Sequence, residues 1–180
     1  MTEEKSELRL LCEKYEHWET DQWAAEEILN KELLTQKVFD PCTGTGILAF
    51  AAERAGYDVA AMDIIQWPET RFCITGDYLG DLGAFVPEHI EGGTVFMNPP
   101  FSLAQAFVDR SLALGARKVL CFQRFSWYEG SLDRGKRRGG WWQKTRPARI
   151  WICGDRADCW RHDIPEAGRQ SSTPTAHAWF

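Results

Sequence analysis

The 180-residue chain, 44% hydrophobic with a formal net charge of −5, is long enough to bury one good core and too short for a second full domain, so a single domain over 1–180 is expected. No run of about 18 apolar residues occurs and the first twenty residues are charged, which argues against a membrane span and a signal peptide and makes the cytoplasm the expected compartment. The six cysteines (12, 42, 73, 121, 153 and 159) include no C-x-x-C pair and read as buried thiols; Cys153 and Cys159 with His162 nearby are too sparse a set to predict a metal.

In chain order, "DQWAAEEILNKELL" (21–34) has the apolar spacing of an amphipathic helix, and "KVFD" (37–40) is a short β-branched strand. "GILAFAAERAG" (46–56) is helical and ends on a C-capping glycine, and "DVAAMDI" (58–64) is the next strand. "RFCIT" (71–75) follows as a strand after a connection, 65–70, too short for a normal helix, so Trp67 or a loop must cover that face of the sheet. "GTVFMN" (93–98) is a buried strand, "LAQAFVDRSLALGA" (103–116) a helix, and "RKVLCFQ" (117–123) a strand. The stretch 126–147 reads as loop; "ARIWICG" (148–154) and "AHAWF" (176–180) read as strands. An apolar strand at a terminus is unusual, so either the chain has been shortened or this strand lies between two neighbours. Strands alternating with helices give an α/β fold with one mostly parallel central sheet flanked by helices.

Charge is unevenly spread. Residues 117–149 contain ten Lys or Arg against two acids, in a chain that is acidic overall. This asymmetry suggests a local face for an anionic partner.

After the first strand, "DPCTGTGILA" places Gly44, Gly46 and Ala49 in G-x-G-x-x-A spacing at a strand-to-helix turn, with Asp63 at the tip of the next strand. Such a turn lets a ligand approach backbone, and an acid at the second strand tip accepts from ribose hydroxyls; a plain tight turn is the alternative. Asp40, immediately before the turn, would repel a pyrophosphate and welcome a cationic amine. Asp77 in "ITGDYLG" can accept from an adenine amino group or act as a loop or N-cap aspartate.

"NPPF" (98–101) ends the fourth strand. Two prolines fix φ and remove donors, so the carbonyls of Asn98 and Pro99 are aimed, and the Asn98 side-chain oxygen and a rigid carbonyl can both accept from one planar NH2 group. That draws the nitrogen lone pair out of conjugation, while Phe101 can stack on the ring bearing the amine. The corner suits an amide or an exocyclic amine; a strand-terminating turn before the helix is the alternative.

On "DPCTGTG" (40–46), "MDI" (62–64), "GDYL" (76–79) and "NPPF" (98–101), the chain resembles the class I S-adenosylmethionine-dependent amino methyltransferases, which carry D-P-x-x-G-x-G and N-P-P-F/Y motifs. Among these it looks most like phage-type or prophage DNA adenine-N6 methyltransferases. The resemblance spans about 18–180, although only the four short motifs are specific. It implies a Rossmann-like fold and S-adenosylmethionine as cofactor, with Asp40, Gly44 and Gly46 bordering its methionine part, Asp63 at the ribose, Asp77 at the adenine, and Pro41, Ile64 and Tyr78 among the cofactor-binding residues. It further implies Asn98, Pro99, Pro100 and Phe101 at the target amine. "HWETDQW" (17–23) looks like the family's upstream cofactor-contact motif, with Thr20 as the candidate and Asp21 standing where that motif has proline. No separate target-recognition domain fits, so high sequence specificity is not expected.

Between 127 and 149, Arg134, Lys136, Arg137, Arg138 and Lys144 interleave with Trp141 and Trp142. Basic side chains neutralise phosphates and aromatic faces stack on unpaired bases, so the segment suits a nucleic-acid strand; tryptophans folded back on the core are the alternative. The resemblance then implies methyl transfer to the N6 amine of a flipped adenine in DNA, with RNA beside it because nothing here reads a 2′-hydroxyl. An RNA-base or protein-glutamine N-methyltransferase and a non-catalytic assembly subunit are the competing readings.

Overall fold

The computed structural model describes residues 3–67, 70, 73–80, 87–130, 141–155, 157, 159 and 176–180. Its strands are β1 (Lys37–Asp40), β2 (Asp58–Asp63), β3 (Ile74–Thr75), β4 (Thr94–Met97), β5 (Lys118–Arg124), β6 (Trp151–Ile152) and β7 (His177–Trp179). They form one sheet in the order β3-β2-β1-β4-β5-β7-β6. The first five pair in parallel, and β7 runs antiparallel to both β5 and β6. The apolar C-terminal strand therefore lies between two neighbours, the second of the two expectations for it.

β4 is buried at every position, as befits a central strand covered on both faces. Successive side chains serve opposite sides of the sheet. Val38, Phe96, Leu120 and Phe122 join the core under α2 (Gln22–Lys31) and α3 (Ile47–Arg54), whereas Phe39, Val95, Met97 and Cys121 join the core under α5 (Ala104–Ala113). α5 buries Ala104, Phe107, Val108 and Ser111, the i, i+3, i+4, i+7 stripe that its sequence predicts. Chain order reverses between β1 and β4, and that reversal opens a crevice at the carboxyl ends of the strands.

The structure departs from the sequence expectations in several places. α1 (Glu3–Lys14) precedes the expected first helix, and a single helical turn, α4 (Pro87–Ile90), precedes β4. Within the presumed 126–147 loop stand α6 (Ser126–Gly130) and α7 (Trp141–Lys144), because Trp127, Trp142, Tyr128 and Phe180 pack into one aromatic cluster. The strands expected at 71–75 and 148–154 shrink to their two-residue cores, with residues 71 and 72 outside the described set. In the short second crossover Trp67 is buried and stacks on His17, ring centroids 3.8 Å apart. All six cysteines are free thiols, three of them buried, and burial pushes the Cys73 thiol up to about 12 and the Cys153 thiol to about 11. No helix among the described residues is long and apolar enough to cross a membrane.

One buried carboxylate fastens the β5–β6 end of the sheet. Glu32, 4% exposed, accepts from Arg149 Nη2 and Lys118 Nζ at 2.9 Å each and from Trp151 Nε1 at 2.8 Å. The Arg149 hydrogen bonds, aided by Lys118 and Trp151 against the opposing effect of burial, hold its carboxyl down at about 2. Because the folded value lies below the unfolded one, this contribution is complete above about pH 4.5 and is lost as pH falls toward 2. Glu32→Gln should therefore lower the urea midpoint at neutral pH and flatten the stability profile between those two pH values; an unchanged acid limb would show that Glu32 carries no such linkage.

Candidate active site

The turn between β1 and α3 is built on its glycines. Gly44 (φ 55°) and Gly46 (φ 100°) are left-handed, and a Cβ on Gly44 would stand 2.8 Å from both Glu19 Oε1 and His17 Cε1. A Cβ on Gly46 would strike the Phe50 ring instead, and Gly46 does not line the cleft. It shapes the turn and opens α3, a narrower role than the cofactor contact expected of it.

Three carboxylates converge on this turn. Asp63, buried at the tip of β2, accepts from the Gly44 N–H at 2.9 Å and the Ile65 N–H at 3.1 Å. Glu19, 4% exposed, accepts from the Thr45 N–H at 2.9 Å and lies 2.8 Å from His17 Nε2. Asp40, 1% exposed at the end of β1, accepts from the Cys42 N–H through Oδ1, while its buried Oδ2 has no hydrogen-bond partner among the described residues. Burial, reinforced by the charges of Asp63 and Glu19, raises the Asp40 carboxyl to about 8. Asp63 is likewise raised, chiefly by burial. An acidic pocket of this kind favours a cation and disfavours phosphate.

The segment linking α1 to α2 crosses this pocket and reaches the Asn-Pro-Pro-Phe corner. Asn98 Nδ2 donates to the Trp18 carbonyl and to Thr20 Oγ1, both at 2.9 Å. A backbone carbonyl only accepts, so the amide cannot be flipped, and with both N–H bonds taken, Oδ1 faces away from the strap as a pure acceptor. Glu16, itself left-handed at φ 49°, accepts from the Ser102 N–H at 3.0 Å and ties down the other end of the corner.

The rest of the corner differs from the simple two-oxygen fork. The Pro99 carbonyl already accepts from Gln123 Nε2 at 3.1 Å, and Pro99 is buried and outside the cleft wall, so only its second lone pair remains for a ligand. Pro100 lines the cleft and its carbonyl accepts from Leu103 N–H at 2.9 Å, closing the turn. Phe101 is half-buried, and the Arg124 guanidinium lies 4.3 Å from its ring centroid.

Thr20, Asp40, Pro41, Gly44, Asp63, Ile64, Asp77, Tyr78 and Asn98 all line one cleft. Ile64, 45% exposed, and Leu103, 43% exposed, offer it apolar walls. Asp77 is exposed and accepts from the Leu79 N–H, whereas the Tyr78 hydroxyl is turned inward to Ser111 at 2.9 Å and its ring packs between Phe39 and Phe107.

The basic segment is only partly described. Arg134, Lys136, Arg137 and Arg138 lie outside the described residues, and Lys144 is exposed. The expected stacking role of Trp142 is corrected: at 6% exposure its faces meet Trp127, Tyr128 and Phe180. Trp141 is half-buried and donates to Asp109 at 2.8 Å, so it too is folded back onto the domain. Two of the ten basic residues, Lys118 and Arg149, serve Glu32.

Sequence reading missed Glu16, Trp18 and Glu19 as site residues, and Gln123 and Arg124 beside them. The last two continue the apolar run of β5, and the break from "VLCF" to "QR" at a strand tip is the one signal that could have drawn attention to them.

No protein-family model and no curated relative matches this chain. Solved structures do resemble it. A Thermoplasma acidophilum protein is 20% identical with a TM-score of 0.50, over 85% of this chain and 77% of its own. A proposed RNA methyltransferase of Pyrococcus horikoshii is 13% identical with a TM-score of 0.50, over 88% and 78%. A protein from echinomycin biosynthesis, studied for converting a disulfide into a thioacetal, is 16% identical with a TM-score of 0.52, over 87% and 78%. At such identities the likeness is one of fold, and together with the strand order it establishes a Rossmann-like fold, a mostly parallel central sheet flanked by helices.

Proposed function

We propose that the chain is an S-adenosylmethionine-dependent methyltransferase acting on the N6 amine of adenine in DNA. The observation that carries this reading is the orientation of Asn98, whose amide nitrogen is held by Trp18 and Thr20 and whose oxygen is left to accept an amine at the cleft. The cofactor assignment fits the residues present: the buried Asp40 Oδ2 lacks a partner among the described residues, and Glu19 and Asp63 add negative charge beside it.

Bound in this cleft, S-adenosylmethionine supplies a methyl group on a positively charged sulfur. Asp40 and the strap at Glu19 and Thr20 would hold its methionine end, Asp63 the ribose and Asp77 the adenine amino group, with Ile64 and Leu103 as apolar walls. Asn98 Oδ1 accepts an N–H of the incoming amine and aligns its lone pair, with the remaining lone pair of the Pro99 carbonyl as a second acceptor. Proximity and fixed acceptors provide the rate, and no protein nucleophile is required. A stacked adenine cannot reach this depth, so the base is flipped. Nucleic acid is favoured over protein by the basic residues of 117–149, of which Arg117, Arg124, Lys144 and Arg146 are described in addition to the Glu32 pair.

The test is to supply labelled cofactor with duplex DNA, structured RNA and protein in parallel and to identify the methylated product. N6-methyladenine in DNA is expected; label confined to RNA or to protein glutamine would replace this substrate with the competing one. In the same assay, Asn98→Ala should cut transfer by about 100-fold or more while cofactor affinity holds, whereas Asp63→Ala should weaken the cofactor itself. Equal loss of cofactor binding in both variants would refute that division of roles.

Asp40 adds a pH signature. Burial raises its carboxyl to about 8, and a cationic ligand favours the ionised form, so binding below that value expels a proton. Cofactor affinity in the wild type should rise with pH toward about 8 with proton release detectable by calorimetry in buffers of different ionisation enthalpy. Asp40→Asn should lack this component; identical proton release in both proteins would place the cation elsewhere.

A further inference from the structure

Arg124 closes β5, and β5 adjoins β4 on the side opposite β1. The acid-lined cleft runs over the tips of β1, β2 and β4, and Asn98 at the tip of β4 forms its wall on the side nearer β5 and Arg124. Phe101 and the end of β5 flank Asn98 on the side away from the acids, where a group presented to its amide from outside the cleft would meet them. Phe101 and Arg124 do not line the cleft, while Asn98 and Pro100 do.

Several of the described guanidinium groups are engaged by acceptors. Arg149 is fastened to Glu32, Arg54 to Glu26, and Arg110 donates to the Gly80 carbonyl. Arg124 takes no carboxylate or carbonyl partner among the described residues, and its Nε is buried without an acceptor. It lies over the Phe101 ring, 4.3 Å from the centroid, a contact that holds the cation beside the corner. Next to it, Gln123 is 1% exposed and holds the Pro99 carbonyl, so the β5 tip supports the corner with one residue and offers a fixed cationic fork with the following one.

We infer that Arg124 is the phosphate-binding residue of the target nucleotide. It grips a phosphodiester flanking the flipped base while Phe101 meets the base itself. The inference rests on the reading of the corner as an amine site and narrows its substrate to one carrying a phosphodiester beside the amine-bearing ring. A guanidinium suits this task because its parallel N–H donors match two phosphate oxygens, and a site beside an aromatic ring desolvates the pair.

The experiment uses a DNA duplex that the full chain methylates, with phosphates around the modified base replaced one at a time by neutral methylphosphonates. In the wild type, one position should raise KM by about tenfold or more. Arg124→Met keeps an apolar stem on Phe101 and removes the charge. It should raise KM on the native duplex by a similar factor, bind cofactor as the wild type does, and be indifferent to the methylphosphonate at that one position. Equal methylphosphonate sensitivity in both proteins, or sensitivity in neither, would overturn the role of Arg124 while leaving the methyltransferase reading in place. A fall in kcat with unchanged KM would mean that Arg124 acts only through Phe101, and would also overturn it. Wild-type protein that methylates no nucleic acid at all would remove both the inference and the reading beneath it.

Discussion

Two hydrogen bonds from one amide organise the candidate site. Asn98 Nδ2 donates to the Trp18 carbonyl and to the Thr20 hydroxyl, so an isolated segment between two helices determines which atom of a strand-tip side chain faces the cleft. Everything around it makes that arrangement rigid. β4 is buried on both faces, the two prolines fix the backbone beyond Asn98, and Glu16 and Gln123 hold the corner at Ser102 and Pro99. The same strap places Glu19 and His17 over Gly44, where no Cβ would fit, so the glycine turn and the corner are positioned by one piece of chain.

Charge is sorted by location in a manner that composition alone conceals. The acids that matter most are at the glycine turn, where burial, reinforced by the charges of Asp63 and Glu19, makes Asp40 costly to ionise and thereby prepares a place for a cation. The basic surplus of 117–149 has two uses. Lys118 and Arg149 neutralise the buried Glu32 and tie the β5–β6 end of the sheet together, a structural task, whereas Arg124 stands by the corner without such a partner among the described residues. A count of basic residues could not separate the two.

Much of the fold was legible because its signals are local. The short continuous apolar runs in "KVFD" and "RKVLCFQ", the i, i+3, i+4 stripe of α5 and the glycines after β1 each report their own structure. The cleft residues Asp40, Asp63, Asp77 and Asn98 were legible for the same reason, since each ends or follows a strand. What escaped was set by contacts distant in sequence. Trp18, Glu19 and Gln123 gain their roles only from residues about 25 to 80 positions away, and the tryptophans at 141 and 142 turn inward because Trp127, Tyr128 and Phe180 wait to receive them. The segment 126–147 therefore looked like a polar loop, although its aromatic content was enough to nucleate two short helices once packed.

The most direct measurement of the central claim is the turnover of Thr20→Val beside that of Thr20→Ser. Valine fills the same volume and removes the acceptor that fixes Asn98, whereas serine retains it. The account predicts that kcat falls by about ten- to a hundredfold in Thr20→Val and stays near the wild-type value in Thr20→Ser, with folding stability comparable in the two. Equal turnover in both variants would contradict it, since the orientation of the Asn98 amide would then not depend on the strap.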